Sequence, residues 1–282
     1  MIAARMRWRT DGTIPYFLFL IYLFVTLLPF YWIFISSVTP RHRLFSIPPL
    51  YFPRYFTTEN FLKMQTSIPF ELYLRNSLIF ALSASAFSVL LGFFAAYAFA
   101  RIRFRGSSVL LLLFLLSIAL PPITTVIPLY ELYGKVGLLN TIQGMVIAMG
   151  SLITPFTIWV LIAFIKQVPV EIEEAASIDG ASFLRLLFGI SLPLILPAIG
   201  TMFVINFITS WNELLYPLVF AVDAQSKTLT VGLTEVALES TAYGKPWDLM
   251  SALSVIMIIP AIVLVILFQR TIVEGLTKGA IK

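Results

Sequence analysis

Long apolar stretches alternate with short polar segments along the chain. Six of these stretches reach the roughly 20 residues that a helix needs to cross the hydrocarbon core of a bilayer. They are residues 14–38, 76–100, 108–130, 143–165, 196–221 and 249–269. Since backbone polar groups inside a bilayer must bond within the span, each stretch predicts a transmembrane helix. The pattern therefore predicts an all-α membrane protein with six transmembrane helices in one domain, residues 14–269.

Composition supports a membrane protein and excludes a soluble one. Hydrophobic residues make up 59% of the chain and charged residues 12%, with a mean hydropathy of +0.95. Soluble domains average about 25% charged residues. The net charge of +5 would also suit nucleic acid, but the basic residues lie near the ends of the apolar stretches and form no single patch. We therefore expect membrane lipid, and no nucleic acid, as a partner.

The distribution of Lys and Arg predicts the orientation of the chain in the membrane. Placing the N-terminus inside puts most of these residues in the cytoplasm, as the positive-inside rule requires. The expected cytoplasmic segments include residues 1–13, the loop 166–195 and the tail 270–282. The expected external loops are residues 39–75 and 222–248, and the first is basic enough to suggest a small folded segment. The chain is predicted to be a multi-pass protein of the plasma membrane with both termini in the cytoplasm.

Several kinds of site are missing from the sequence. The chain has no cysteine, which excludes disulfides, thiol catalysis and thiolate-bound metal. The single histidine, His42, has no second histidine with which to share a metal, and no Gly-x-x-x-x-Gly-Lys-Ser/Thr loop occurs that could cradle nucleotide phosphates. An intramembrane hydrolase would need a histidine or paired aspartates within a span, and neither is present. We expect no catalytic residue, no metal site and no cofactor in this chain.

A charged segment from Glu171 to Pro193 separates the fourth and fifth apolar stretches. It opens with Glu171, Glu173 and Glu174, which complement the positive dipole at the start of a helix. Gly180 can adopt a positive φ at little cost, so it can end this helix and turn the chain into a second one. The segment is predicted to be a helix, a sharp bend and another helix. An ordinary cytoplasmic loop with a capped amphipathic helix would show the same features.

The order of residues in this segment is more specific than its charge. Glu174, Ala175 and Ala176 are followed by Asp179, Gly180 and Ala181, and then by Ile190, Leu192 and Pro193. This order resembles the EAA loop of the membrane subunits of ABC importers, which docks on an ATPase. The resemblance implies an ATPase-coupling role for Glu171, Glu174, Ala175, Ala176, Asp179, Gly180 and Ala181. It also implies that closure of the ATP-binding subunit moves the spans as a rigid body.

The fifth apolar stretch carries an acidic residue, Glu213, where a span is expected. Glu213 follows Trp211 and Asn212, and Asn206 lies seven positions before it, on the same face of a continuous helix. An aromatic ring beside amide and carboxylate groups suits a sugar in a substrate pathway. The alternative is that Trp211 anchors at the membrane interface while Asn212 and Glu213 bond a neighbouring helix or subunit. A secondary carrier would need an ion site, for which Glu213 is the sole candidate.

Prolines lie within or beside the apolar stretches. They are Pro29, Pro121, Pro122, Pro128, Pro155, Pro193, Pro197, Pro217 and Pro260. Each interior proline frees a backbone carbonyl and kinks its helix. Kinks that only help helices pack, and kinks that take part in gating, are both compatible with this pattern.

Three further segments narrow the resemblance to sugar importers. They are Ser210 to Leu214, Thr228 to Leu233 and Gln269 to Lys282. On these segments the chain resembles the smaller of the two membrane subunits of maltose-type importers, which have the six-span type I permease fold. One departure is visible, because the position before Phe188, often aromatic in such permeases, is Leu187. Leucine keeps a hydrophobic side chain there.

The resemblance implies a complex of several chains. Its members would be a second homologous permease subunit, two ATP-binding subunits that hold ATP and Mg, and an extracytoplasmic solute-binding protein. The ATPase dimer would contact the tail residues Gly275, Leu276, Thr277 and Gly279. The solute-binding protein would meet the external loop 223–248, and the substrate would be an oligosaccharide or a glycoside. A permease for a related polar solute such as a glycerol phosphate, and a secondary carrier, are the alternatives.

Overall fold

The computed structural model describes residues 13–48, 51–52, 54–239 and 244–280, without the side chains of residues 13–14 and 274–280. Every regular element within these ranges is a helix. In chain order the α-helices are α1 (Thr13–Val38), α2 (Arg41–Leu44), α3 (Glu59–Ser67), α4 (Phe70–Arg101), α5 (Ser107–Ile118), α6 (Pro122–Val136), α7 (Ile142–Gln167), α8 (Val170–Ile178), α9 (Phe183–Leu186), α10 (Leu192–Leu194), α11 (Leu196–Trp211), α12 (Leu215–Phe220), α13 (Leu229–Leu238) and α14 (Trp247–Ala280). A π-helical turn, Leu187–Ser191, lies between α9 and α10. The all-α prediction is confirmed.

The described helices provide six candidate membrane spans. Four are unbroken, namely α1, α4, α7 and the part of α14 from Trp247 to Val273. The other two are bent pairs, in which α5 is followed by α6 and residues 183–194 are followed by α11. With each bent pair counted as one span, the architecture agrees with the six predicted from the apolar stretches.

The third predicted helix, residues 108–130, is broken. Between α5 and α6 the helix axis bends by 98°. Pro121 and Pro122 explain the break, because neither carries an N–H to continue the bonds of α5, and a residue before proline avoids the α region. Single prolines lie inside unbroken helices at Pro29, Pro155 and Pro260. A proline pair therefore interrupts this span, whereas the single prolines at these three positions do not interrupt theirs.

The prediction of one helix across residues 196–221 is wrong. α11 ends at Trp211, and α12 begins after a short turn. The Glu213 carboxylate accepts hydrogen bonds from the N–H groups of Leu215 (2.7 Å) and Tyr216 (3.3 Å). A side chain that bonds the free N–H groups at a helix start favours a new helix at that point. The regular helix of α11 therefore ends within the apolar stretch, although hydropathy alone suggests continuity.

The chain divides into two compact units. One contains the described residues up to Ser67 together with Val236–Ile256. In this unit the Asn60 amide donates hydrogen bonds of 2.9 Å to the carbonyls of Ser37 and Thr39. These bonds fix α3 against the end of α1. Part of the loop 39–75 is therefore folded, as its composition suggests.

The other unit contains Ile68–Glu235 and the described residues from Met257 onward, and it includes α4, α7 and α11. α4 packs along both α7 and α11. A Cβ atom added at Gly92 of α4 would lie 2.7 Å from Cγ2 of Thr157 on α7, closer than carbon atoms approach. Glycine at this position therefore permits the close contact of the two helices.

Candidate coupling site

The helix α8 begins after Pro169 and ends in a glycine turn. Gly180 has a φ of 79°, in the left-handed region that residues with a Cβ atom rarely adopt. The Gly180 N–H bonds the carbonyl of Ser177 (3.1 Å), and the Ala181 N–H bonds the carbonyl of Ala176 (3.0 Å). These two bonds define a Schellman motif. The predicted helix, glycine bend and second helix are all present.

The predicted coupling residues lie together on α8 and its terminal turn. Glu171, Glu174, Ala175, Asp179 and Gly180 are exposed, and Ala176 and Ala181 are half-buried. Ile178, which is not among the predicted coupling residues, is 86% exposed on the same helix. The helix thus presents carboxylates, small side chains and one large apolar side chain to its surroundings. Such a surface suits a protein partner, and the coupling role of these residues stays a prediction.

A cleft of about 350 Å³ lies beside the end of α8. It is lined by Ala176, Asp179, Ala181, Arg185, Gly189 and Ile190. The alanines and the glycine leave space for a side chain of a partner, while Asp179 and Arg185 supply one charge of each sign. Three of the predicted coupling residues therefore border a cavity as well as the exposed surface.

Glu173 faces the interior of the protein, in contrast to its neighbours on α8. It is 7% exposed. Its Oε1 accepts hydrogen bonds from Arg101 Nε (3.1 Å) and the Ser191 hydroxyl (2.9 Å), and its Oε2 accepts one from the Tyr97 hydroxyl (3.0 Å). A buried carboxylate is tolerated because an opposite charge and two hydroxyls satisfy it.

The four residues Glu173, Tyr97, Arg101 and Ser191, here called the Glu173 cluster, were not predicted from the sequence to lie together. Only one signal pointed to it. Tyr97 and Arg101 are four residues apart near the end of the second apolar stretch, so they share one helix face. Nothing in the sequence shows that this face meets residue 173, because the contact is between segments distant in the chain.

Aromatic contacts fix the segment after Gly180 to α4. The rings of Tyr97 and Phe183 lie 6.0 Å apart, and those of Phe94 and Phe188 are also 6.0 Å apart, both in edge-on arrangements. Leu187, the position that departs from the family pattern, is 2% exposed within the apolar cluster formed by α4, α7 and α11. Its side chain therefore belongs to the core of this unit.

Asn206, predicted to border a substrate pathway, lies in a buried polar cluster between helices. Its amide donates to Thr157 Oγ1 (2.9 Å) and Ser88 Oγ (3.2 Å), and those two hydroxyls are 3.0 Å apart. The three residues are contributed by α11, α7 and α4 and are almost completely buried. These contacts favour the packing alternative for Asn206.

The other three pathway candidates also bond within the chain. Trp211 is 3% exposed, and its Nε1 donates to the Met257 carbonyl at 3.0 Å. The exposed Asn212 donates to the Ile208 carbonyl at 2.8 Å. Because α11 ends at Trp211, the seven-residue spacing does not place Asn206 and Glu213 on one helix face, and that argument is wrong. A pathway role for these residues stays a prediction.

The segment 223–248, predicted to be an external loop, is bonded at its N-terminal end to the start of α4. The Asn76 amide donates to the carbonyls of Gln225 (2.8 Å) and Lys227 (3.0 Å). Lys227 forms an ion pair of 2.6 Å with Glu235 on α13. The first half of the predicted loop is therefore an ordered helical segment.

The tail continues α14 as a helix to Ala280. The side chains of Gly275, Leu276, Thr277 and Gly279 lie outside the described residues, so their contact with an ATPase stays a prediction. Within the described ranges no group of three or more His, Cys, Asp or Glu side chains could hold a metal ion.

Residues 88–278 match the family described as binding-protein-dependent transport system inner membrane component. The match covers more than half of the chain and includes α8, its glycine turn and the Glu173 cluster. The chain belongs to this family. As an inner membrane component of such transport systems, it is a permease with several apolar helices, in agreement with the predicted class.

Curated relatives of this inner membrane component are permeases of similar length. It is 34% identical over 262 residues to the trehalose/maltose transport system permease protein MalG of Thermococcus litoralis, with 92% of each chain covered. It is also 34% identical over 261 residues to the diacetylchitobiose uptake system permease protein DasC of Streptomyces coelicolor, covering 92% of this chain and 94% of the relative. The similarity therefore extends over nearly the whole of each protein.

Solved structures share the fold of this inner membrane component. A bacterial ABC transporter involved in the import of the acidic polysaccharide alginate matches with a TM-score of 0.80 and 21% identity, covering 93% of this chain and 96% of that chain. A bacterial alginate ABC transporter in complex with an alginate pentasaccharide-bound periplasmic protein matches with a TM-score of 0.64 and 17% identity, covering 90% and 91%. At these identities the likeness establishes the fold of an ABC importer permease.

Proposed function

We propose that this chain is the transmembrane permease subunit of an ATP-driven, binding-protein-dependent importer of an oligosaccharide or a glycoside. The observation that carries the proposal is α8, a helix with an exposed acidic face, a Schellman turn at its end and a buried carboxylate on its inner side. Family membership supports a permease, and the relatives named for trehalose, maltose and diacetylchitobiose support a sugar. A related polar solute such as a glycerol phosphate is the alternative substrate.

The proposed complex contains a second homologous permease subunit, two ATP-binding subunits and an extracytoplasmic solute-binding protein. ATP and Mg would bind to the ATP-binding subunits, since this sequence has no phosphate-binding glycine loop. This chain would have no catalytic step of its own. The solved structure of an alginate ABC transporter in complex with an alginate pentasaccharide-bound periplasmic protein supports the inclusion of a binding protein.

In the proposed orientation both termini and α8 face the cytoplasm. The excess of Lys and Arg in the segments that would then be cytoplasmic supports it. The face of α8 with Glu171, Glu174 and Ala175 would bind in a cleft of the ATP-binding subunit. The tail residues would reach the ATPase dimer, and the segment 223–248 would meet the solute-binding protein outside.

Crosslinking tests the proposed docking of α8. We expect Glu174→Cys to form a crosslink with a cysteine placed in the ATP-binding subunit when the assembled transporter is treated with a short thiol crosslinker. The chain has no native cysteine, so no background site competes. Glu131→Cys on α6, also exposed but predicted to lie outside, is the matched control and should give only background. Equal yields from the two variants would contradict the docking assignment.

Substrate profiles distinguish a pathway role from a packing role in the fifth stretch. Glu213→Gln keeps the oxygen that bonds the N–H groups of Leu215 and Tyr216, so the start of α12 should be preserved. If the pathway assignment is right, Asn212→Ala and Glu213→Gln change the relative KM values for trehalose and maltose while complex recovery stays near that of the parent. The measurement is sugar-dependent ATPase activity of the reconstituted transporter.

Asn206→Ala is the packing control for this experiment. Loss of an interhelical hydrogen bond in a membrane costs on the order of 0.6 kcal/mol. Asn206→Ala should therefore lower complex recovery slightly and lower the ATPase activity to the same extent with every sugar. A uniform loss for Asn212→Ala and Glu213→Gln, in proportion to complex recovery, would show that these residues only hold the subunit together.

A further inference from the structure

Glu173 is an acidic residue in the proposed docking helix that does not face the docking surface. The neighbouring Glu171 and Glu174 are exposed, whereas Glu173 is 7% exposed and both of its carboxylate oxygens accept hydrogen bonds inside the chain. A glutamate needed only for helix start or solubility would remain in solvent. Its burial with a matched arginine indicates a specific contact.

The bonds of this carboxylate connect three separate segments. Tyr97 and Arg101 lie in the last turns of α4, Glu173 lies in the first turn of α8, and Ser191 ends the π-helical turn. Arg101 also donates from Nη2 to the carbonyl of Val168 at 2.8 Å. Arg101 therefore holds both the carboxylate of α8 and the backbone just before that helix.

The inner partner of Glu173 is α4, which packs against other long helices of its unit. α4 packs along α7 and α11, and residues of all three helices form one buried apolar cluster. A force applied to the exposed face of α8 reaches α4 through the Glu173 cluster and through the ring contacts of Phe183 and Phe188. Of these, the carboxylate contacts alone are directional and charged, so they resist both sliding and separation.

We propose that Glu173 is a positioning residue whose contacts make α4 move together with the coupling helix α8. The strength of these contacts would then set how much sugar is transported per ATP hydrolysed. The inference rests on the proposed function and deepens it. Glu174 and its exposed neighbours would bind the ATPase, and Glu173 would transmit the resulting displacement to the spans. Weakening the Glu173 cluster should therefore uncouple hydrolysis from transport without removing the docking surface.

Two variants weaken this contact while preserving size and, in one case, charge. Glu173→Gln removes the charge and replaces one acceptor oxygen with an N–H₂ group that would face existing donors. Arg101→Lys keeps the charge, but a single ammonium cannot reproduce the planar guanidinium that bonds Glu173 and Val168 together. Glu131→Gln, the same substitution at an exposed position of α6, is the matched control.

The experiment uses the whole transporter in proteoliposomes, with the cognate ATP-binding subunits, second permease and solute-binding protein, and with radiolabelled trehalose and maltose as probes. Uptake and ATP hydrolysis are measured in the same vesicles. For Glu173→Gln and Arg101→Lys we expect the sugar-to-ATP ratio to fall about fivefold, an effect of the size seen when a coupling element is weakened. Hydrolysis should continue, and the ratio for Glu131→Gln should equal that of the parent.

The ratio of sugar transported to ATP hydrolysed distinguishes a loss of coupling from a loss of protein stability. An unchanged ratio in both variants would overturn the inference, and so would a fall in uptake and hydrolysis together that follows the amount of complex recovered. Failure of the parent transporter to take up any tested sugar with ATP would instead contradict the proposed function, whatever the behaviour of Glu173.

Discussion

Gly180→Val is expected to reduce sugar uptake at least about tenfold while the protein is still inserted and recovered. Gly180 has a φ of 79°, and holding a residue with a Cβ atom in such a conformation costs on the order of 1–3 kcal/mol, more for a β-branched side chain. Relief of this strain would open the Schellman turn and reorient α8 relative to the segment after it. Uptake by cells, normalised to the amount of protein in the membrane, is the measurement.

Gly180→Asn is the matched control for the backbone explanation. Asparagine tolerates the left-handed region better than other residues with a side chain. Apart from Gly180 itself and its two neighbours in the sequence, no atom of the described chain lies within 4 Å of a Cβ added at Gly180, so the chain provides room for a side chain. We expect Gly180→Asn to retain much more uptake than Gly180→Val. Uptake at parental level with Gly180→Val would refute the requirement for a left-handed turn.

Gly92→Ala is expected to destabilise the folded protein by about 1–3 kcal/mol, the usual cost of overpacking a tight contact. The added Cβ would lie 2.7 Å from Cγ2 of Thr157. Thr157 cannot turn away freely, because its hydroxyl bonds Ser88 and Asn206. The helices α4 and α7 must therefore separate or lose these bonds. Thermal unfolding of the purified transporter in detergent measures the loss.

A second substitution tests whether this steric contact is the cause. Thr157→Ser removes the methyl group and keeps the hydroxyl, so Gly92→Ala with Thr157→Ser should recover most of the lost stability. Gly134→Ala in α6 is the control, since its added Cβ would meet Leu139 Cδ1 at an ordinary distance of 3.5 Å. Equal destabilisation by Gly92→Ala alone and by the double variant would show that the contact with Thr157 is not responsible.

The expected effects of Gly180→Val and Gly92→Ala both depend on a glycine, but only the role of Gly180 can be predicted from the sequence. Gly180 stands between an acidic helix start and a second helix, a position where a C-terminal glycine turn is expected. Gly92 lies within an apolar stretch of small residues, which suggests close packing but not a partner. Thr157 follows it by more than sixty positions, and only the packed structure brings the two together.

The substrate-pathway candidates lie at a helix break that the pattern of apolar residues does not reveal. Trp211, Asn212 and Glu213 form a polar group in an apolar stretch, and these residue types suit both sugar binding and bonding within the protein. In the structure the Glu213 carboxylate bonds the first N–H groups of α12, and the Trp211 indole N–H bonds the Met257 carbonyl. Hydropathy does not detect such a break, because the residues on both sides of the turn remain apolar.

The sequence by itself determined the class of this protein and the position of α8 with its glycine turn, and its six apolar stretches agree with the spans when each bent pair is counted as one. These properties depend on the local sequence. A long apolar stretch favours a membrane span, and a glycine after a helix favours a turn that ends it. Tertiary structure decided which small residues meet, and that Glu173 faces inward to Arg101 while Glu174 faces outward. The reason is physical: side chains adjacent on α8 point in different directions, and their partners lie on helices far away in the chain.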